Sequence, residues 1–503
     1  MTQFTWLDGS IVGTYLVATM AVGIAVRKYV GKVEHFLVAG REMNVYLGIA
    51  SLAATEFGIV TCMYTAQNGH KYGFAGATPG IIQAVAMFLI GLTGFCVKPL
   101  RDSGVMTIPE LFEKRFGATI RWLAGVVIVL GGLLNMGVFL RMGGEFLVHV
   151  AGLKPEYLEG TMTLLLILVA IYTILGGMLS VLVTDFLQFV VMSAGLLIVT
   201  ILIFVRLGWG QLVASVETHY GAGGFNPFLH PELGWQFVVF QIFIQTAATL
   251  TWQTCIARLL AAKDTRTGRK VYTGTAFFFC CRFLIPGIWG IAALATLSDA
   301  AFGTIPSNDR SLYAMPLFLS TFVPVGMMGV LVAAMLAADM STDSSYMLTW
   351  GSVIYNDILA PFRKGRWSER RGILWNRCIV AAIGVYLLFF GLWYKLSGDL
   401  WTYLTVTGSI YLSSMSVLLI ACCYWKRAND WGAAGAIIFG AAIPVAFLIL
   451  EKLPDTSFLS RPPWPYYTGI AAYVMAGLAM FIGSIIRDSH LFSARRIAAN
   501  RRK

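Results

Sequence analysis

The segment Ala337-Ala338-Asp339-Met340-Ser341-Thr342-Asp343-Ser344-Ser345 gathers six oxygen-bearing side chains. On a helix, Ser341, Thr342 and Ser345 fall within one face about 100° wide, and Ser344 flanks it. Such a patch is a hard oxygen surface, and hard cations such as sodium are held by hydroxyl, carbonyl and carboxylate oxygen rather than by nitrogen or sulfur. The bland alternative is that the hydroxyls bond back to the preceding turn or let helices pack closely; the two aspartates among them favour an ion. Asp339 and Asp343 are four apart and share an adjacent face. Two like charges there bind a cation, pair with Arg141 or Arg282, or keep one proton; the spacing alone leaves all three open. Arg282 is most simply a counter-ion for one of these acids, and Arg141 with Glu145, four apart, a mutual ion pair.

Two further carboxylates lie in apolar surroundings. Glu56 sits in Ala53-Ala54-Thr55-Glu56-Phe57-Gly58, where small neighbours tolerate an unwound helix whose freed carbonyls can coordinate a cation. A straight helix with Glu56 paired to a basic group is the other reading. Asp185, in Leu182-Val183-Thr184-Asp185-Phe186-Leu187-Gln188, is either an ion ligand or a helix-start carboxylate favoured by the dipole.

The elements that must carry these residues follow from composition. Of 503 residues 57% are hydrophobic and only 12% charged. Apolar runs of about 20 residues, each able to cross a hydrocarbon core roughly 30 Å thick, recur along the chain. In lipid the backbone must satisfy its own hydrogen bonds, so these runs are expected as helices. About thirteen spans are read, near 9–26, 44–68, 75–97, 122–148, 159–177, 179–205, 234–257, 272–297, 324–350, 375–394, 399–424, 432–450 and 467–486, and are numbered one to thirteen below. With the amino terminus outside, cytoplasmic segments hold about 28 of the 37 Lys and Arg, the asymmetry the positive-inside rule requires. The opposite orientation strands Arg363, Lys364, Arg366, Arg370 and Arg371 outside. The expected location is therefore the plasma membrane, or the inner membrane of a bacterium, with the carboxyl terminus cytoplasmic.

A single membrane domain fills 1–503. The stretch 207–232 reads as a Gly-rich polar outer loop, and the tail 487–503, with Arg495, Arg496, Arg501, Arg502 and Lys503, as a flexible basic segment on anionic lipid. The net charge of +12 is accounted for by short loops beside membrane ends and needs no nucleic acid partner. Eight cysteines without CxxC spacing and six scattered histidines give neither a disulfide framework nor a zinc site. No nucleophile, base and oxyanion combination is read, so no enzyme is expected.

At this point the residues resemble the sodium/solute symporter family. The motifs are Tyr172-Thr173-Ile174-Leu175-Gly176-Gly177 running into Thr184-Asp185 and Gln188; Gln253 to Arg258 continuing as Leu259-Leu260-Ala261-Ala262-Lys263-Asp264; Ala337 to Ser345; and Phe36-Leu37-Val38-Ala39-Gly40-Arg41. The resemblance implies an all-α, LeuT-like fold: two inverted repeats of five spans, 44–206 and 234–424, with one extra helix before and two after, and spans two and seven broken near the midplane. It further implies a sodium site at the carbonyls of Ala54, Phe57 and Ala338 and the hydroxyls of Ser341 and Thr342. A second sodium site maps onto Asp185, Ser341, Ser344 and Ser345.

The chain departs from the family at Glu56, where relatives commonly carry Asn or Asp, and from its sugar carriers at Trp252 before Gln253, where they show Asn, which makes a neutral sugar a poor first guess. Glu56 with Trp252 favours instead an amino acid or organic amine, through charge and cation–π contact. Further pocket candidates are Asn135, Gln241, Gln245, Thr249, Gln253, Thr405 and Ser409. The expected function is sodium-coupled symport of a small organic solute by alternating access, with sodium as coupling ion and no other cofactor. Proton coupling through Glu56 or Asp343, and a non-transporting sensor or channel of the same fold, are the alternatives.

Overall fold

The computed structural model describes residues 4–29, 31–362, 367–396 and 398–500, side chains at 360 and beyond 487 excepted. Arg363, Lys364 and Arg366, used above for orientation, lie outside the described residues, as do Arg501, Arg502, Lys503 and the side chains of Arg495 and Arg496. The described chain is all-helical, 86% helix with no strand. Nine helical stretches in it are long and apolar enough to cross a membrane.

Two helices are interrupted in mid-run. Span two is Val45–Glu56 and Ile59–Tyr72, separated by Phe57 (φ −109°, ψ 33°) and Gly58 (φ −61°, ψ 169°). Span seven is Gly234–Thr251 and Gln253–Ala261, separated by Trp252 in an extended conformation (φ −64°, ψ 123°). A break inside an apolar environment leaves backbone carbonyls that lipid cannot satisfy. At span two, hydroxyls take them up: Thr61 donates to the Glu56 carbonyl at 3.1 Å and Thr342 to the Thr55 carbonyl at 2.8 Å.

Spans five and six form one helical run, Leu158–Arg206, with a fold-over inside it. Left straight, its 49 residues would be about 74 Å long, more than twice a hydrocarbon core. Gly177 (φ 55°, ψ −151°) turns the chain, in a conformation closed to other residues, and a Cβ there would strike the Phe36 ring.

Span nine, Met327–Val353, is buried over nearly its whole length. It packs against spans one, two, four, six, seven and ten. Asp8 ties span one to its start, accepting from the Gly326 and Gly329 amides at 2.8 and 2.6 Å. Two expectations are corrected. The 207–232 stretch contains a helix, Gly208–Tyr220, and the last helix, Trp464–Asn500, carries most of the basic tail as helix rather than flexible chain.

Candidate functional site

The break in span two faces the hydroxyl side of span nine. Thr342 Oγ1 bridges the two, donating toward the Thr55 carbonyl at 2.8 Å and its own helix's Ala338 carbonyl at 3.0 Å. Gly58 makes this approach feasible, because a Cβ at that position would collide with the Thr342 hydroxyl. Ala54, Phe57, Ala338, Ser341 and Thr342 are all buried. Phe57 closes the first half-helix, its amide donating to the Ala54 carbonyl at 3.2 Å. Ser341 turns toward span six, donating to Asp185 Oδ1 at 2.6 Å.

Asp185 is the centre of a second polar cluster. Its other oxygen accepts from Ser51 Oγ at 2.5 Å and from Arg258 at 3.0 Å, and both charged side chains are fully buried. The same arginine nitrogen reaches Thr55 Oγ1 at 2.6 Å and Ser345 Oγ at 2.5 Å. Ser344 bonds back to the Ser341 carbonyl at 3.2 Å. Of the four residues expected at a second sodium, Asp185, Ser341 and Ser345 are thus gathered, with a guanidinium among them, while the Ser344 hydroxyl bonds within its own helix. Sequence reasoning treated Arg258 only as part of a motif and missed Ser51 and Thr55. A buried carboxylate needs a counter-charge, and that requirement was the available signal.

Beside the break lies a cavity holding about 640 Å³ of space not filled by atoms. Of the expected pocket residues, Glu56, Asn135, Gln245, Trp252 and Thr405 line it. Gln241, Thr249, Gln253 and Ser409 are not among its lining residues in this arrangement. Gln241 accepts from Gln245 at 3.0 Å behind the wall, while Thr249 and Ser409 bond back to Gln245 and Thr405 carbonyls and Gln253 to the Thr251 carbonyl. Back-bonding is the common fate of a hydroxyl in a membrane helix, and helical spacing cannot distinguish it from pocket lining.

The wall also contains Gln83, Arg282, Tyr64, Trp401 and Tyr346, which the sequence reading had not placed there. Arg282 pairs with Glu56 at 2.9 Å and donates to Tyr64 Oη at 2.8 Å, its guanidinium flanked by the Phe279 and Phe283 rings. Thr254 donates to the other Glu56 oxygen. Glu56 is therefore both beside a helix break and neutralised by an arginine, and Arg282 is not the counter-ion of Asp339 or Asp343. The Arg141–Glu145 ion pair forms as expected, at 2.8 Å. Aromatic rings bound the cavity on two sides. Trp252 stacks on Tyr411 and donates to Tyr346 Oη at 3.0 Å, and Tyr64 lies 4.7 Å from Trp401.

Outside the spans, two carboxyls brace the bundle. Asp399 precedes span eleven (Leu400–Tyr424); burial raises its carboxyl, but Lys71 at 2.8 Å and the Thr402 amide bring it below the usual range. Asp357, in the π-helical segment Ile354–Ile358 that follows span nine, is pushed up to about 7 by burial despite Arg121 at 2.8 Å and Thr107 at 2.9 Å.

Membrane-crossing helices, two of them broken around a buried polar cavity, define a multi-pass solute carrier. A family model described as the sodium:solute symporter family matches residues 36–440. The chain belongs to that family of sodium-coupled transporters and is not an enzyme. It is 27% identical to a sodium/mannose cotransporter of Bos taurus, covering 96% of this chain and 87% of that one. It is 26% identical to sodium/glucose cotransporter 1 of Ovis aries, covering 95% and 77%. A solved structure of a sodium-coupled sialic acid symporter, substrate-bound and outward-open, superposes with a TM-score of 0.80 at 17% identity, over 96% of this chain and 98% of that one. The preference for an amino acid or amine is corrected by these relatives and by Arg282, which already satisfies the charge an ammonium group would have met.

Proposed function

We propose that this protein drives a small polyhydroxylated solute of the sugar class across the membrane by alternating access, coupled to sodium. The observation that carries the reading is a cavity with aromatic walls whose one buried acid, Glu56, is cancelled by Arg282. A net-neutral site lined by amides and hydroxyls matches hydroxyl groups, and aromatic faces cover the apolar faces of a sugar ring. Gln83 Oε1 is buried in that wall without a protein partner, an acceptor left for a solute hydroxyl.

In this reading thirteen spans comprise two inverted repeats, 44–206 and 234–424, with the amino terminus outside. Sodium is coordinated by the carbonyls of Ala54, Phe57 and Ala338 and the hydroxyls of Ser341 and Thr342. Binding there fastens span two to span nine and completes the solute cavity, so each ligand tightens the other by the same factor. A second sodium at Asp185, Ser341, Ser344 and Ser345 requires Arg258 to withdraw, because the guanidinium is the cation at Asp185 in this arrangement.

Uptake of labelled hexoses into proteoliposomes tests the proposal, with a sodium gradient set against choline. Sodium-dependent accumulation and trans-stimulated counterflow are expected. Accumulation that follows a pH gradient in sodium-free buffer would transfer the coupling to protons; flux without trans-stimulation would make the protein a channel, and binding without flux a sensor. A thermal-shift screen in sodium against choline ranks sugars against amines; stabilisation by amines alone overturns the sugar assignment.

A further inference from the structure

Asp339 and Asp343 lie on the face of span nine roughly opposite Ser341 and Ser345, since successive residues advance about 100° around a helix. Neither lines the solute cavity. They are 3% and 1% exposed. Both oxygens of Asp343 lie within the bundle without a hydrogen-bond partner. Asp339 fits against Gly143 of span four, where an added Cβ would come within 2.8 Å of its Oδ2. One turn beyond Asp343, Met347 packs on Gly384 of span ten.

The arginines that could compensate this pair are committed elsewhere. Arg141 binds Glu145 and the Gly391 carbonyl, and Arg282 binds Glu56 and Tyr64. Arg258 is held at Asp185, and Arg377 of span ten donates to the Leu175 carbonyl. Four further titratable groups on the surrounding spans bring no positive charge. Tyr15 of span one and Tyr172 of span five address the Met340 sulfur and carbonyl, Tyr386 of span ten the Leu133 carbonyl, and Cys62 of span two faces Asp339 as a buried thiol. Two adjacent buried carboxylates without a counter-charge cannot both be ionised. Sodium would need several more oxygen ligands, and no hydrogen-bonding group meets either oxygen of Asp343.

We propose that Asp339 and Asp343 form a proton-binding site on the far side of span nine from the sodium site, and that the pair holds at least one proton at neutral pH. The proton is resident; sodium remains the driving ion. The site stands independently of the solute assignment.

Infrared difference spectroscopy on the purified full-length protein at pH 7, comparing it with D343N and D339N in ordinary and heavy water, tests it. A protonated-carboxyl stretching band, shifted by deuterium, is expected in the native protein and lost from the difference in each variant. Asp357, raised to about 7, contributes a band of its own, so the measurement is repeated in D357N; absence of any such band there overturns the proposal with the pair itself intact. Equilibrium binding of radioactive sodium gives the second arm. Stoichiometry is expected to be the same in D339N/D343N as in the native protein, and the loss of one sodium would make the pair a cation site instead.

Discussion

The two faces of span nine treat buried charge in opposite ways. On the Ser341 side, Asp185 has Arg258 at 3.0 Å and Glu56 has Arg282 at 2.9 Å. On the other face, Asp339 and Asp343 have none among the described residues. The Ser341 side thus pairs its carboxyl groups with fixed cations, while the opposite side, in the proposal above, accommodates its acids through a proton. Low dielectric makes an unpaired carboxylate expensive, and an arginine or a proton removes that cost by different means.

The most direct way to break the comparison is to take Arg258 away. Arg258→Met strands Asp185 and is expected to cost about 3–5 kcal/mol of stability, read as a lower unfolding midpoint in detergent. Adding Asp185→Asn should recover most of that loss. A single variant as stable as the double would mean Asp185 is not the partner that matters.

The hydroxyl side is probed next. Ser341→Ala with Thr342→Ala is expected to weaken sodium activation of uptake at least about tenfold, given roughly 1.5–3 kcal/mol for contacts to a charged group. Unchanged sodium dependence would move the ion elsewhere. Gly58→Ala sharpens the same point: its Cβ displaces the Thr342 hydroxyl, and a stability loss of about 1–3 kcal/mol is expected by thermal unfolding.

Smaller effects come from the carboxyls that brace the ends, and they have opposite signs. Asp399 is depressed, so its contribution is present above the unfolded carboxylate value of about 3.9 and lost as pH falls through the folded value. Asp357 is raised to about 7, so its contribution is present at acidic pH and lost as pH rises through that value. The unfolding midpoint of Asp357→Asn should lose the decline that runs from about pH 4 up to about pH 7 and keep the acid limb; a decline that persists assigns it to another group.

Much of the design was legible without coordinates. Glu56-Phe57-Gly58 announced a break because a glycine and small neighbours relieve a helix of its obligations, and Ser341, Thr342 and Ser345 announced an oxygen face through period alone. Partner choice was not legible. Arg282 is 57 and 61 residues from the two aspartates it was expected to serve and 226 from the glutamate it binds. Gln241, Thr249, Gln253 and Ser409 share spans with residues that line the cavity, yet each makes a hydrogen bond within its own span.

The amino-acid sequence by itself determined that this chain is a helical membrane protein, where its helices must yield, and which of its faces are rich in oxygen. Those properties depend on hydropathy and on neighbours within a few residues, which one dimension records. Only the tertiary structure decided that Arg258 answers Asp185, that Arg282 answers Glu56, and that Asp339 and Asp343 are answered by no arginine. Electrostatic pairing depends on distances between helices, and the rotation of one helix against another is set by packing across the whole bundle.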